Sequence, residues 1–131
     1  MSKTKQSEVH HEELISGFLD QIRIVFESSE QPMYLYLDDT HKACNQKFAS
    51  LLGYRTPEEW AHVEEFTALV AEKSAETLVT AYRSAMERKI ASTIGVTWKR
   101  KSGGTVDTTV TFVPVAYNEH LFALHFVSPK V

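Results

Sequence analysis

The sequence predicts a single α+β domain, and three observations carry that expectation. A helical stripe opens the chain, the middle is cut into short capped helices, and the last third changes to the period of a strand. At 131 residues the chain has the length of one domain and can bury roughly two thirds of its unfolded surface.

Met1 to Ser7 is polar and without pattern, and is expected to be a flexible N-terminus. Residues 8–29 form the next unit, in which Leu14, Ile15, Phe18, Ile22, Val25 and Phe26 recur at helical spacing among charged residues. This amphipathic helix is stopped before Pro32, because the residue preceding a proline is pushed out of the α region.

Met33 to Leu37 is an aromatic-rich run that enters a turn at Asp38-Asp39-Thr40, so it reads as a strand, and Lys42 to Cys44 pairs back on it. Asn45 suits a helix N-cap, Phe48, Leu51 and Leu52 make a short apolar stripe, and Gly53 fits the left-handed position that ends helices. Thr56-Pro57-Glu58-Glu59 is a second start signal, with Thr56 as cap, Pro57 at the first helical position and Glu59 closing a capping box. A third helix is expected from Ser74 to about Lys89, carrying Leu78, Tyr82, Ala85 and Met86 on one face.

Thr93 to Arg100, Thr105 to Val115 and His120 to Val127 are rich in Val, Thr, Phe and Trp and are separated by short turns. They predict an antiparallel meander. Both phases of the middle strand are apolar, Val106, Val110 and Phe112 against Val113 and Val115, so neither face of the sheet is expected to be fully wet. The short helices are expected on one face and the N-terminal helix on the other.

Composition narrows the function. Fourteen Lys and Arg against seventeen Asp and Glu, interspersed along the chain, argue against a nucleic-acid surface. The one basic cluster, Lys99-Arg100-Lys101, leads into a Gly-rich turn and reads as a solvated hairpin tip. A single cysteine, Cys44, cannot form an internal disulfide or a Cys-based zinc site, and it reads as a small buried residue. No apolar run reaches the roughly 20 residues needed to cross a bilayer, so no membrane role and a cytoplasmic location are the expectations.

Five motifs in order resemble the PAS domain, a sensor and interaction module of signalling proteins. They are Asn45 at a helix start, Gly53-Tyr54, Thr56-Pro57-Glu58-Glu59, the turn Arg100-Lys101-Ser102-Gly103-Gly104, and Val113-Pro114-Val115. The resemblance covers Met33 to Val127. It implies a five-stranded antiparallel sheet in the order 2-1-5-4-3, and a non-catalytic signal-transduction module that binds a small apolar ligand or none. The family's Asp-x-Thr ending is absent, so the output partner is expected in trans.

Family members hold cofactors or metabolites between the sheet and the middle helices, where Phe48, Trp60, Phe66, Tyr82, Trp98, Phe112 and Phe122 are the candidates to line a pocket. Haem is disfavoured, because the long middle helix from Ala75 to Lys89 has no histidine, which leaves only His62 and His125 off the pattern. Covalently linked flavin is disfavoured because Cys44 lies in Ala43-Cys44-Asn45 rather than in Gly-x-Asn-Cys.

No metal is expected. His10 and His11 lie about 100° apart on a helix, and His120 and His125 fall on opposite faces of one strand, so neither pair has ligand spacing. The alternative function is a small-pocket isomerase or hydratase on a cystatin-like fold, with Asp107 or His125 as acid or base. Ile15, Phe18, Ile22 and Val25 follow the 3-4-3 step of a coiled-coil seam and predict a homodimer interface.

Overall fold

The computed structural model describes Ser2–Pro129, with side chains from His10 onward. The elements run α1 (Ser2–Ser28), β1 (Met33–Asp38), β2 (His41–Cys44), α2 (Gln46–Leu51), α3 (Pro57–Ala61), a 3₁₀ turn (Phe66–Leu69), α4 (Glu72–Arg88), β3 (Ser92–Lys99), β4 (Thr105–Tyr117) and β5 (His120–Pro129). The strands form one antiparallel sheet in the order β2-β1-β5-β4-β3, as expected.

The caps explain the boundaries. Asn45 Oδ1 accepts the backbone N–H of Phe48 at 3.0 Å to open α2, and Gly53 follows that helix with φ of 84°. Thr56 Oγ1 accepts the N–H of Glu59 at 3.1 Å, and Glu59 in return accepts the N–H of Arg55 at 3.1 Å, one residue earlier than in a standard box. Pro114 is tolerated in β4 because it lies beyond Phe112, the last residue paired with β3, where β5 is the only neighbour.

Two expectations are corrected. The segment before Glu8 is helical from Ser2 onward, Met1 lying outside the described residues. Lys3, Lys5 and Gln6 there propagate a helix nucleated by the apolar turns that follow, without needing a stripe of their own. Ser74 does not cap α4, which starts at Glu72; its hydroxyl accepts the backbone N–H of Thr97 at 2.9 Å and pins the helix to β3.

The sheet has two unlike faces. The inner face carries Tyr34, Trp98, Val110, Phe112 and Val127 against α2, α3, the 3₁₀ turn and α4. The outer face meets α1, where Leu14 and Phe18 are buried on Leu35 and Phe122. Burial of each large side chain on either face contributes about 1.5–3 kcal/mol.

Candidate functional site

Period-two alternation puts Tyr34 and Tyr36 of β1 on the inner face, opposite His125 and Ala123 of β5. The Tyr34 ring stacks on His125 with centroids 3.9 Å apart and planes 10° from parallel, and Phe112 packs on the same imidazole at 4.8 Å. Leu78 and Tyr82 of α4 and Phe66 of the 3₁₀ turn close the space above them, leaving a cavity of about 230 Å³. Exposed Asp39, Thr67, Val79 and Arg83 complete its lining.

Three buried polar atoms have no hydrogen-bond partner among the described residues: the Tyr34 hydroxyl, Trp60 Nε1 and His125 Nδ1. Each such group costs about 1–3 kcal/mol, so a cluster of them calls for an explanation. Burial, only partly offset by backbone groups of Ala123 and Tyr34, pushes the His125 imidazole down to about 3. It is therefore neutral near pH 7, with one ring nitrogen a donor and the other an acceptor. Burial also raises the Tyr34 and Tyr36 hydroxyls, and Tyr36 donates to Asp39 at 2.6 Å.

Of the seven aromatics expected around a pocket, Phe66 and Tyr82 line the cavity. Phe48, Trp60, Trp98 and Phe112 are fully buried in the solid core beside it, with Phe48 5.2 Å from both Trp60 and Trp98. Phe122 is a correction. It faces the other side of the sheet, 5.0 Å from Phe18, because β5 places positions 122 and 125 on opposite faces. Tyr36 and Leu78 also line the cavity and were missed, with Tyr34 packed behind it on His125; the Tyr34-x-Tyr36 alternation was the available signal.

The candidates for other chemistries are dispersed. Asp107 lies on the outer side of the sheet, accepting the Thr97 hydroxyl at 2.6 Å, so it cannot share a substrate with inward-facing His125. His62 is exposed, its Nδ1 2.6 Å from the Glu58 carbonyl. Burial pushes the Cys44 thiol far up, which keeps it protonated and unreactive. Lys42 is buried on the inner side of β2, where its ammonium donates to the carbonyls of Asp39, Ala61 and Val63 and lies 5.6 Å from the Trp60 ring. Its three donors are used in holding α3 to the sheet.

The hairpin tip is docked as well as solvated. Lys101 donates to Glu59 at 2.8 Å and lies 5.8 Å over the Tyr54 ring, while its backbone N–H meets the Leu52 carbonyl. A larger groove of about 520 Å³ runs along edge strand β2 between α1 and α3, and none of the three unpartnered atoms lines it. Elsewhere, His11 of α1, Asp38 of β1 and His41 of β2 converge. The spacing rule applied to the sequence tests pairs within one element, so it could not see this set.

For Ile15, Phe18, Ile22 and Val25, the structure splits the seam. Phe18 is buried on Tyr117 and Phe122, Ile15 and Ile22 are partly buried against the same cluster, and Val25 is 65% exposed beside Ile24. No helix among the described residues is long and apolar enough to cross a membrane.

No protein-family model matches the sequence, and no curated protein matches it significantly. Solved structures do match. A PAS domain from a Colwellia psychrerythraea protein superposes with a TM-score of 0.69 at 19% identity, over 86% of this chain and 97% of that one. The PAS domain of an HTR-like protein from Haloarcula marismortui gives 0.67 at 17% identity, over 96% and 99%. The LOV protein of Rhodobacter sphaeroides gives 0.70 at 17% identity over 85% of this chain, which spans 65% of that longer one. The cystatin-like alternative is thereby set aside, and strand order, helix placement and these superpositions agree that the chain has the PAS fold.

Proposed function

We propose that the protein is a cytoplasmic sensor module that holds a small, largely apolar ligand in the cavity beneath α4 and passes the signal to a partner protein through α1. The observation that carries this reading is an unpartnered buried nitrogen, His125 Nδ1, on a residue that lines an aromatic cavity. A ligand with an apolar ring and one hydrogen-bonding group would satisfy His125 while filling the space. The volume corresponds to about eight waters of roughly 30 Å³ each, which suits a single ring and is too small for haem or flavin. Catalysis is not part of this reading.

The test is thermal unfolding with single-ring probes (phenol, benzoate and indole), alongside native mass spectrometry of protein purified from its own host. At one hundred times its Kd a ligand adds about 2.7 kcal/mol of stability. His125→Phe should weaken that gain without loosening the free protein, because it removes an unmet polar atom from the cavity wall. If no probe raises the melting temperature and the host-derived protein carries nothing, the cavity is not a ligand site.

Signal output is proposed to run through a homodimer. The seam expected from Ile15, Phe18, Ile22 and Val25 is narrowed, because Phe18 is spent on the chain's own sheet. Ile24 and Val25, 84% and 65% exposed, become its anchors. Sedimentation of Ile24→Glu with Val25→Glu as a folded monomer, against a wild-type dimer, is the expected outcome; a monomeric wild type at micromolar concentration sinks it.

A further inference from the structure

Four of the chain's six histidines gather at one corner of the outer layer. His11 Nδ1 lies 2.8 Å from Asp38 Oδ2, and His41 Nδ1 lies 2.7 Å from Asp38 Oδ1. The His11 and His41 rings meet edge to face, centroids 5.5 Å apart, and one donor atom from each of the three residues lies within 4.8 Å of the other two. The Thr40 backbone N–H and hydroxyl both reach Asp38 Oδ1 at 3.1 Å, and the same hydroxyl lies 3.1 Å from His41 Nδ1, so Thr40 ties the carboxylate and the imidazole together. His10 and His120 extend the corner, 5.0 Å apart, with His10 6.3 Å from His11.

From this geometry we infer that His11, Asp38 and His41 form a binding site for a divalent first-row transition metal ion of the zinc type. The donor set decides the class. Two imidazoles and a carboxylate suit borderline ions, whereas calcium and magnesium require oxygen donors throughout. Tetrahedral coordination with bonds of about 2.0–2.2 Å sets ligand atoms about 3.3 Å apart. The two histidines meet different oxygens of Asp38 at 2.7–2.8 Å, and with all three donors within 4.8 Å of one another, small side-chain rotations bring them to that spacing. His11 and Asp38 are about one-third exposed and admit an ion from solvent, while nearly buried His41 and the Thr40 contacts hold the inner wall. Supporting hydrogen bonds of that kind orient ligands in metal sites.

The site is separate from the cavity beneath α4 and does not depend on it. Its three ligands come from α1, β1 and β2, so an ion would clip the helix to the β1–β2 hairpin. α1 is otherwise held by a small apolar cluster around Leu14 and Phe18 and, at its far end, by the Asn45 amide on the Phe26 carbonyl. Metal occupancy would therefore change how firmly the helix sits on the sheet.

The test uses tag-free full-length protein titrated with Zn²⁺ by calorimetry and with Co²⁺ by visible absorption. Binding of one ion per chain, with the d–d bands of a low-coordinate Co²⁺ site, is expected. His11→Ala and His41→Ala should each weaken it at least tenfold, and His10→Ala much less, by analogy with the tenfold or greater losses seen when metal-site residues are removed. Zn²⁺ should also shift amide resonances of α1 and of the β1–β2 turn. Lack of saturable binding, or binding undiminished in both variants, overturns the site. His11 is on a helix surface, so His11→Ala decides the matter even if His41→Ala does not fold, with circular dichroism confirming its helix content.

Discussion

The two faces of the sheet are built differently. On the inner face Tyr34, Phe48, Trp60, Trp98 and Phe112 are at most 1% exposed and pack ring against ring under four helical segments. On the outer face α1 alone covers the β1–β5 side, while β3 and β4 present Thr93, Thr97, Asp107, Thr109 and Thr111, tied laterally by Thr93–Thr111 and Thr97–Asp107 hydrogen bonds. A densely packed core admits one arrangement. A helix held by a few contacts can leave at lower free energy than global unfolding. The proposed function would use this division, with a ligand read in the rigid layer and the response carried by the loosely held one.

One residue joins the layers, and removing it should have the largest effect. Buried Asn45 accepts from Met33 and Phe48 backbone N–H groups and donates to the carbonyls of Phe26, at the end of α1, and Gln31. Asn45→Ala removes a helix cap, worth about 0.5–2 kcal/mol, and strands buried partners at about 1–3 kcal/mol. A loss of about 3–5 kcal/mol in urea unfolding is expected. A loss under about 1 kcal/mol would show that water replaces the amide and that the layers are not joined here.

His125 separates the faces by pH. Its folded pKa is depressed below the ordinary value near 6.5, so the unfolded chain takes up a proton that the native state refuses. Stability from this group is complete above about pH 6.5 and falls as the pH drops toward about 3, by about 1.4 kcal/mol per unit. Between pH 7 and pH 5 the wild type should lose about 2 kcal/mol more than His125→Phe. The lowered carboxyls do not interfere. At Asp38, burial raises the pKa but hydrogen bonds from His41, His11 and Thr40 outweigh it. Glu59 is lowered chiefly by its bond to Lys101. Both act below pH 5. Equal acid sensitivity in the two proteins would place the imidazole in contact with water.

Element order and caps were legible because they are written in local patterns, the change of period near Ser92, Asn45 and Thr56 at helix starts, and Gly53 at a helix end, whereas the strand order came from the family resemblance. The site was only partly legible. Aromatic content pointed to the correct layer, yet which rings line a cavity and which fill the core depends on where α4 lands over β1, a tertiary fact. Phe122 went to the wrong face because residue type was read without strand phase. The His11–Asp38–His41 set stayed hidden because its members are 27 and 3 residues apart and come from three elements.

The smallest expected effect on global stability is also the sharpest probe of the outer layer. Gly17 lies in α1 where a Cβ would stand 2.5 Å from the Tyr117 hydroxyl and 3.3 Å from the ring carbon that bears it. Two terms oppose one another in Gly17→Ala. Alanine favours the helix by about 0.5–1 kcal/mol, while the contact with Tyr117 forces the helix off the sheet or the ring out of its stack on Phe18. The inner core is untouched, so global stability should change by less than about 1 kcal/mol. Amide exchange in α1 and solvent access to Phe18 should nevertheless rise well above wild type. Adding Tyr117→Phe removes the oxygen at 2.5 Å and leaves the carbon at 3.3 Å, a distance that a small shift absorbs. Rescue of α1 protection in the double variant, with the helix gain now expressed as stability, is the outcome that ties the looseness of the outer layer to this one contact. If Gly17→Ala leaves exchange in α1 unchanged, the helix is not seated on Tyr117, and its hold on the sheet comes from the cluster around Leu14 and Phe18 and from the polar ties at His11 and the Phe26 carbonyl.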